Sequence, residues 1–179
     1  MADWIYVDNS NLFIEGMRVS AVFRGLATDI HEALKYNITD NRYRVDLGKL
    51  YQFVAGSNIE NTARAMLFGS RPPPNDAIWA LASKAGFEVV VYNRNAGNRE
   101  KKIDTSMVVA IMDDANIGAK EGDTFTIVSG DNDFVPLVEN LRRKGFQVDV
   151  VFWDHAGREL RNAATNFVSL DQHLDTLRF

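Results

Sequence analysis

Cysteine is absent from the 179 residues, and histidine occurs only three times. Without thiols there is neither a disulfide frame nor a thiolate metal site. His31, His155 and His173 stand in no ligand spacing and read as surface or internally satisfied groups. Proline is scarce as well, with three of the four clustered in Arg71-Pro72-Pro73-Pro74-Asn75, too short for a linker and suited to a stiff loop entering a helix. No apolar run is long enough to cross a bilayer, and Met1-Ala2-Asp3-Trp4 lacks the basic leader and apolar stretch of a signal peptide. The expectation is a cytoplasmic protein without a membrane partner. Nucleotide-cofactor loops of the GxxxxGK[ST] or GxGxxG kind are missing, and no serine lies in a nucleophile-elbow context. Positive charge is in deficit, 20 Lys and Arg against 24 Asp and Glu, for a net charge of −4. That excludes coating nucleic acid by bulk electrostatics, but a local basic rim remains open.

What is present is ordinary for a globular chain: 46% hydrophobic and 25% charged residues, at a length that suits one domain over 1–179. Short β-branched runs alternate with segments of helical period. Strands are predicted over 4–7, 63–68, 87–92, 124–128 and 146–152, with a short sixth over 167–170. Helices are predicted over 11–19 and 103–115, through Ile78, Leu81, Ala82 and Ala85 up to Gly86, and through Phe134, Leu137, Val138 and Leu141 up to Gly145. Such alternation predicts an α/β fold with three layers, α/β/α, around a mostly parallel sheet of five to six strands. The polar segment 24–44 breaks the pattern and reads as a structured insertion or a mobile loop.

In open α/β sheets ligands bind beyond the carboxyl ends of the strands. Asp8 follows the first predicted strand, and Ser129-Gly130-Asp131-Asn132-Asp133 follows the fourth. Asp104 heads an apolar stripe through Met107, Val108, Ile111 and Ala115, at the predicted start of a helix. A carboxylate on a packing face is costly without a partner, and a helix terminus plus a metal ion would compensate it. With few histidines, oxygen ligands point to Mg²⁺ or Mn²⁺. Each residue also has a plainer role: Asp8 as turn or cap, Asp131 as a turn residue, and Asp133 as the cap of a helix with Pro136 in its first turn. Asn11 serves either as a cap or as the holder of a carboxylate. Ser10, Ser129 and Thr105 are candidate supporting hydroxyls, whereas Asp113 and Asp114 fall off the stripe and read as a solvated face. Residues 93–102 carry Arg94, Arg99, Lys101 and Lys102 against one acid, a basic loop suited to a phosphate backbone. Arg42, Arg44 and Arg71 are candidates to extend that rim.

Three pieces, YVDNSNL at 6–12, KKIDTSMVVAIMDDA at 101–115 and IVSGDNDFVPLVENLRRKGFQV at 127–148, together with the tail at 159–167, resemble the NYN domain. The likeness is to its LabA-like branch, within the PIN-like nuclease superfamily. It implies a PIN-like fold and a divalent-metal-dependent ribonuclease that leaves 5′-phosphate and 3′-hydroxyl ends. The family's acidic positions match Asp8, Asp104, Asp131 and Asp133, and its asparagine matches Asn11. Asn166 departs from the acid often found in the closing segment, a position more structural than catalytic. The expected substrate is RNA, single-stranded or structured, bound through Arg94, Arg99, Lys101, Lys102 and Ser129, and a homodimer stays open. The alternatives are a catalytically silent RNA-binding or regulatory module and, lower, a haloacid-dehalogenase-like phosphatase. The last normally has a second acid two residues after its nucleophile, where this chain has Ser10.

Overall fold

Trp4 and Tyr6 project from one face of β1 (Asp3–Asp8) and Ile5 and Val7 from the other, and all four are buried, so this strand is covered on both sides. The computed structural model describes residues 1–71, 77–93 and 99–179, with side chains throughout these except at 71, 93 and 99–101. Among them β1 is joined by β2 (Thr62–Arg71), β3 (Glu88–Asn93), β4 (Thr124–Val128), β5 (Gln147–Phe152) and β6 (Asn166–Ser169). The six form one sheet in the order β3-β2-β1-β4-β5-β6, with every neighbouring pair parallel. The chain therefore builds outward from β1 to β3, then crosses back and builds outward the other way from β4. The switch point falls between β1 and β4.

Among the described residues the helices are α1 (Asn9–Phe23), α2 (Ile30–Tyr36), α3 (Leu47–Ala55), α4 (Ala77–Ala85), α5 (Arg99–Ile117), α6 (Val135–Arg143) and α7 (Arg158–Ala163). One core joins Ile5 and Val7 to Leu12, Leu50 and Trp79 from α1, α3 and α4. The other joins Trp4 and Tyr6 to Met107, Leu137 and Leu160 from α5, α6 and α7. These two apolar layers on one parallel sheet are the predicted three-layer α/β/α fold. Gly145, at φ +88, follows α6 and its Lys144 cap, in the left-handed position that a glycine fills without strain.

Three expectations change. Segment 24–44 is ordered and not a loose loop. It contains α2, capped by Asp29 through the Glu32 N–H, and it buries Asp40 and Tyr43. Ser20 Oγ donates to Asp40 at 2.8 Å, Arg24 pairs with it at 3.1 Å, and the Tyr43 hydroxyl reaches the Leu174 carbonyl at 3.0 Å. Second, α5 begins at Arg99, so Asp104 stands in its second turn and beyond the strongest reach of the helix terminus. Apolar periodicity cannot reveal a first turn made of polar residues. Third, Asp114 is no solvated residue. It accepts from the Tyr6 hydroxyl at 2.7 Å and from Arg64 Nη1 at 2.9 Å, and Arg64 also pairs with Glu88 at 2.7 Å. Asp114→Ala would strand the fully buried Tyr6 hydroxyl. The expected cost is about 1–3 kcal/mol, the usual penalty for an orphaned buried polar group. A denaturant titration checks it.

Candidate active site

Every strand of this parallel sheet delivers its carboxyl end to one edge, and the residues at the switch point meet there. Asp8, the last residue of β1, keeps the parity of Trp4 and Tyr6 and so belongs to the face covered by α5. It also caps α1, accepting the Asn11 N–H at 3.2 Å. The side chain is buried, 5% exposed. Burial first, and then the charges of Asp104 and Asp131, push its carboxyl from the ordinary 3.8 up to about 7, against the backbone N–H groups of Asn11 and Ser10, which pull it down. Three carboxylates from β1, α5 and the segment after β4 thus share one electrostatic neighbourhood.

The segment after β4 is built residue by residue. Ser129 is fully buried, and its hydroxyl bridges Asn11 Oδ1 and the Asp131 N–H, each at 3.4 Å. A side chain so enclosed cannot touch a substrate, which corrects the expectation that placed Ser129 on the RNA-binding side. A Cβ on Gly130 would lie 2.3 Å from the Phe152 ring, so only glycine lets this segment pack against β5. Asp131 caps the 3-10 turn Asn132–Phe134 through the Asp133 N–H at 2.9 Å. Asp133 is therefore not the cap of the next helix. It lies exposed inside the turn, and α6 starts from Phe134 without a side-chain cap, Pro136 sitting in its first turn. Asn132, passed over in the sequence, accepts the Leu160 N–H at 3.1 Å and so anchors the start of α7. The only sequence signal for this was Gly157, a helix-preceding residue with no capping oxygen of its own.

Asn11 ties the two halves of the rim together. Its Oδ1 accepts the Gly130 N–H at 3.0 Å, across the switch point from Asp8. With that oxygen engaged, what Asn11 can still offer the site is its pair of amide N–H donors.

A family model described as the NYN domain matches residues 4–171. This chain belongs to the NYN domain family. NYN domains have a PIN-like, nuclease-type fold. A crystal structure of a Vibrio parahaemolyticus protein of unknown function shares the fold, with a TM-score of 0.70 at 18% identity, over 99% of this chain and 96% of that one. At that identity the likeness is one of fold alone. No curated protein matches the chain.

Around the basic segment 93–102 of this NYN domain, β3 ends at Asn93 and α5 begins at Arg99. Arg94 lies outside the described residues, as do the side chains of Arg71, Arg99 and Lys101. Lys102 is exposed, its Nζ 5.1 Å from the centre of the Tyr92 ring, and the Tyr92 hydroxyl is held at 2.7 Å by Ser106. Arg44 is committed elsewhere, to the carbonyls of Asn41 and Tyr43 at 2.8 and 2.7 Å. Arg42 pairs weakly, at 4.0 Å, with the buried Asp40.

Charge and openness decide whether these residues suit a metal. Among the described residues no three Asp, Glu, His or Cys side chains close into a ready-made cage. That excludes a zinc-like structural site, which needs its full protein ligand set in place. A hard, water-rich cation held by oxygen ligands fits better, because the Asp8 carboxyl stands at the switch point with the charges of Asp104 and Asp131 beside it. Among the described residues no helix is long and apolar enough to cross a membrane.

Proposed function

We propose that this NYN domain is an endoribonuclease of the LabA-like branch that depends on Mg²⁺ or Mn²⁺. The observation that carries the reading is the buried Asp8 carboxyl, at the switch point and under the charges of Asp104 and Asp131. Asp8, Asp104 and Asp131 would hold the ion, with Asp133, exposed at the same edge, as a further ligand or as the group that orients the attacking water. When bound, such an ion supplies an acidified water and a counter-charge for the phosphate. Asn11 fixes the spacing between Asp8 and the segment after β4. Lys102, joined by Arg94, Arg99 and Lys101, would take the phosphate backbone, and the products would carry 5′-phosphate and 3′-hydroxyl ends.

The silent RNA-binding module keeps some support, because Asp8 and Asp131 each already cap a helical turn. A phosphatase of the haloacid-dehalogenase type loses ground, since Ser10 lies within the first turn of α1. Labelled single-stranded RNA separates the three. The nuclease cuts it under Mn²⁺ and stops in EDTA. Binding that persists in EDTA without products would establish the silent module. Phosphate release from small monoesters with the RNA left whole would establish the phosphatase.

A further inference from the structure

Beyond β5 and β6 the same edge of the sheet carries polar side chains that the carboxylate site does not use. A cavity of about 220 Å³ opens there. Its walls are apolar, from Val22 and Phe23 at the end of α1 and Ile30 at the start of α2. The floor is polar: Asp154 and His155 follow β5, and Asp171 follows β6. Phe23 lines the cavity and is itself 69% exposed, offering a flat apolar ring of the kind on which bases stack.

The floor is held in place. Asp171 Oδ1 accepts the Asp154 N–H at 2.8 Å, and the Asp171 N–H is bonded to Ser169 Oγ at 3.2 Å. An ionised carboxylate has about four acceptor positions, so this fixed group keeps capacity for donors arriving from outside. His155 is fixed by Glu15 at 2.6 Å. Burial raises the Asp171 carboxyl above its ordinary value, with the Asp154 charge adding to it. Ligand N–H donors would relieve that cost.

The cavity also lies within reach of the candidate cutting site. Asp8 caps α1, and the lining residues Val19, Val22 and Phe23 stand further along it, roughly 16–23 Å away at the helical rise. The pocket therefore opens a few nucleotides from the carboxylate rim, on the side of the sheet where β5 and β6 end. Segment 24–44 supplies part of its wall through Ile30.

We propose that this cavity is a guanine-recognising subsite for a strand of RNA lying across the carboxylate rim, with Asp171 reading the base and Phe23 stacking on it. It rests on the nuclease reading for its substrate, though its test does not. The cavity is smaller than the roughly 300–1,000 Å³ of drug-sized sites and suits one planar base. Guanine is singled out because its pairing edge presents two neighbouring donors, N1–H and the N2 amino group, to match one carboxylate. Adenine, cytosine and uracil set acceptors beside their donors there, and a carboxylate repels those. A site built to satisfy paired donors rejects analogues that lack them.

The test uses metal-free protein in EDTA, with guanosine 5′-monophosphate and adenosine 5′-monophosphate as probes, followed by amide NMR shifts. The guanine nucleotide is expected to shift Phe23, His155 and Asp171 and to bind at least tenfold more tightly than the adenine nucleotide. Asp171→Asn retains an oxygen for the Asp154 N–H, so the fold survives, and should lose that tenfold preference. Phe23→Ala should weaken both probes alike. Equal binding of the two nucleotides, shifts confined to other residues, or an Asp171→Asn protein with full guanine preference would each overturn the subsite. Guanine preference in a protein that cuts no RNA would support the subsite and overturn the nuclease reading alone.

Discussion

Exchanging Asp8 for asparagine should yield a metal-free protein that resists heat better than the wild type at pH 8 and no longer cuts RNA. In the unfolded chain Asp8 ionises near 3.8, and in the folded one near 7. Between those values the folded form keeps a proton that the unfolded form has released, so wild-type stability falls as pH rises through this window and levels off above it. Asparagine has no such slope and caps α1 about as well. The two proteins should therefore match near pH 4 and separate by pH 8, by something of the order of 4 kcal/mol for a shift from 3.8 to about 7. Cleavage under Mn²⁺ should drop by roughly 10²-fold or more, the scale set by removing one electrostatic group from an active site. Thermal melts across the pH range read the first effect, and an RNA assay reads the second. Equal melting temperatures at pH 8 would mean that Asp8 is only a cap, satisfied and charged like any other.

Asp104→Asn should be the second large loss. It removes one of the two charges that hold Asp8 high, so the Asp8 titration should move down toward the ordinary carboxylate range in the variant. This effect needs neither metal nor substrate. Cleavage should fall by about 10²-fold or more, Mn²⁺ affinity should weaken at least tenfold, and the fold should persist, because Asp104 is half-buried on a helix anchored by Ile103, Met107 and Ile111. Normal turnover by a folded Asp104→Asn protein would remove Asp104 from the site.

The frame was legible because two-sided burial writes itself into sequence. The runs Trp4–Val7 and Val150–Phe152 are apolar on both faces, and the order of elements dictates which strand ends converge. That the charges of Asp104 and Asp131 bear on Asp8 follows from that frame. What stayed hidden depends on partners far along the chain. Asp114 looked solvated because only the fold brings Arg64 and Tyr6 to it. Segment 24–44 looked loose because its order comes from polar pairs, such as Ser20 with Asp40 and Tyr43 with the Leu174 carbonyl, and hydrophobic periodicity is blind to them. The SGDND segment was misread in detail for the same reason. Asp131 caps the 3-10 turn, the helix that Asp133 was expected to cap starts without a side-chain cap, and Asn132 is spent on α7 more than twenty residues away. Ser129 was expected to face RNA, yet it is fully buried, its hydroxyl turned to Asn11 Oδ1 and to the Asp131 N–H.

A crystal soaked in Mn²⁺ and measured at a wavelength where manganese scatters anomalously tests the account most directly. The anomalous map should show a peak at the carboxyl edge between β1 and β4, within bonding distance of Asp8 and at least one of Asp104 and Asp131. A map without density there, with these carboxylates still turned to the backbone N–H groups they cap, would contradict it.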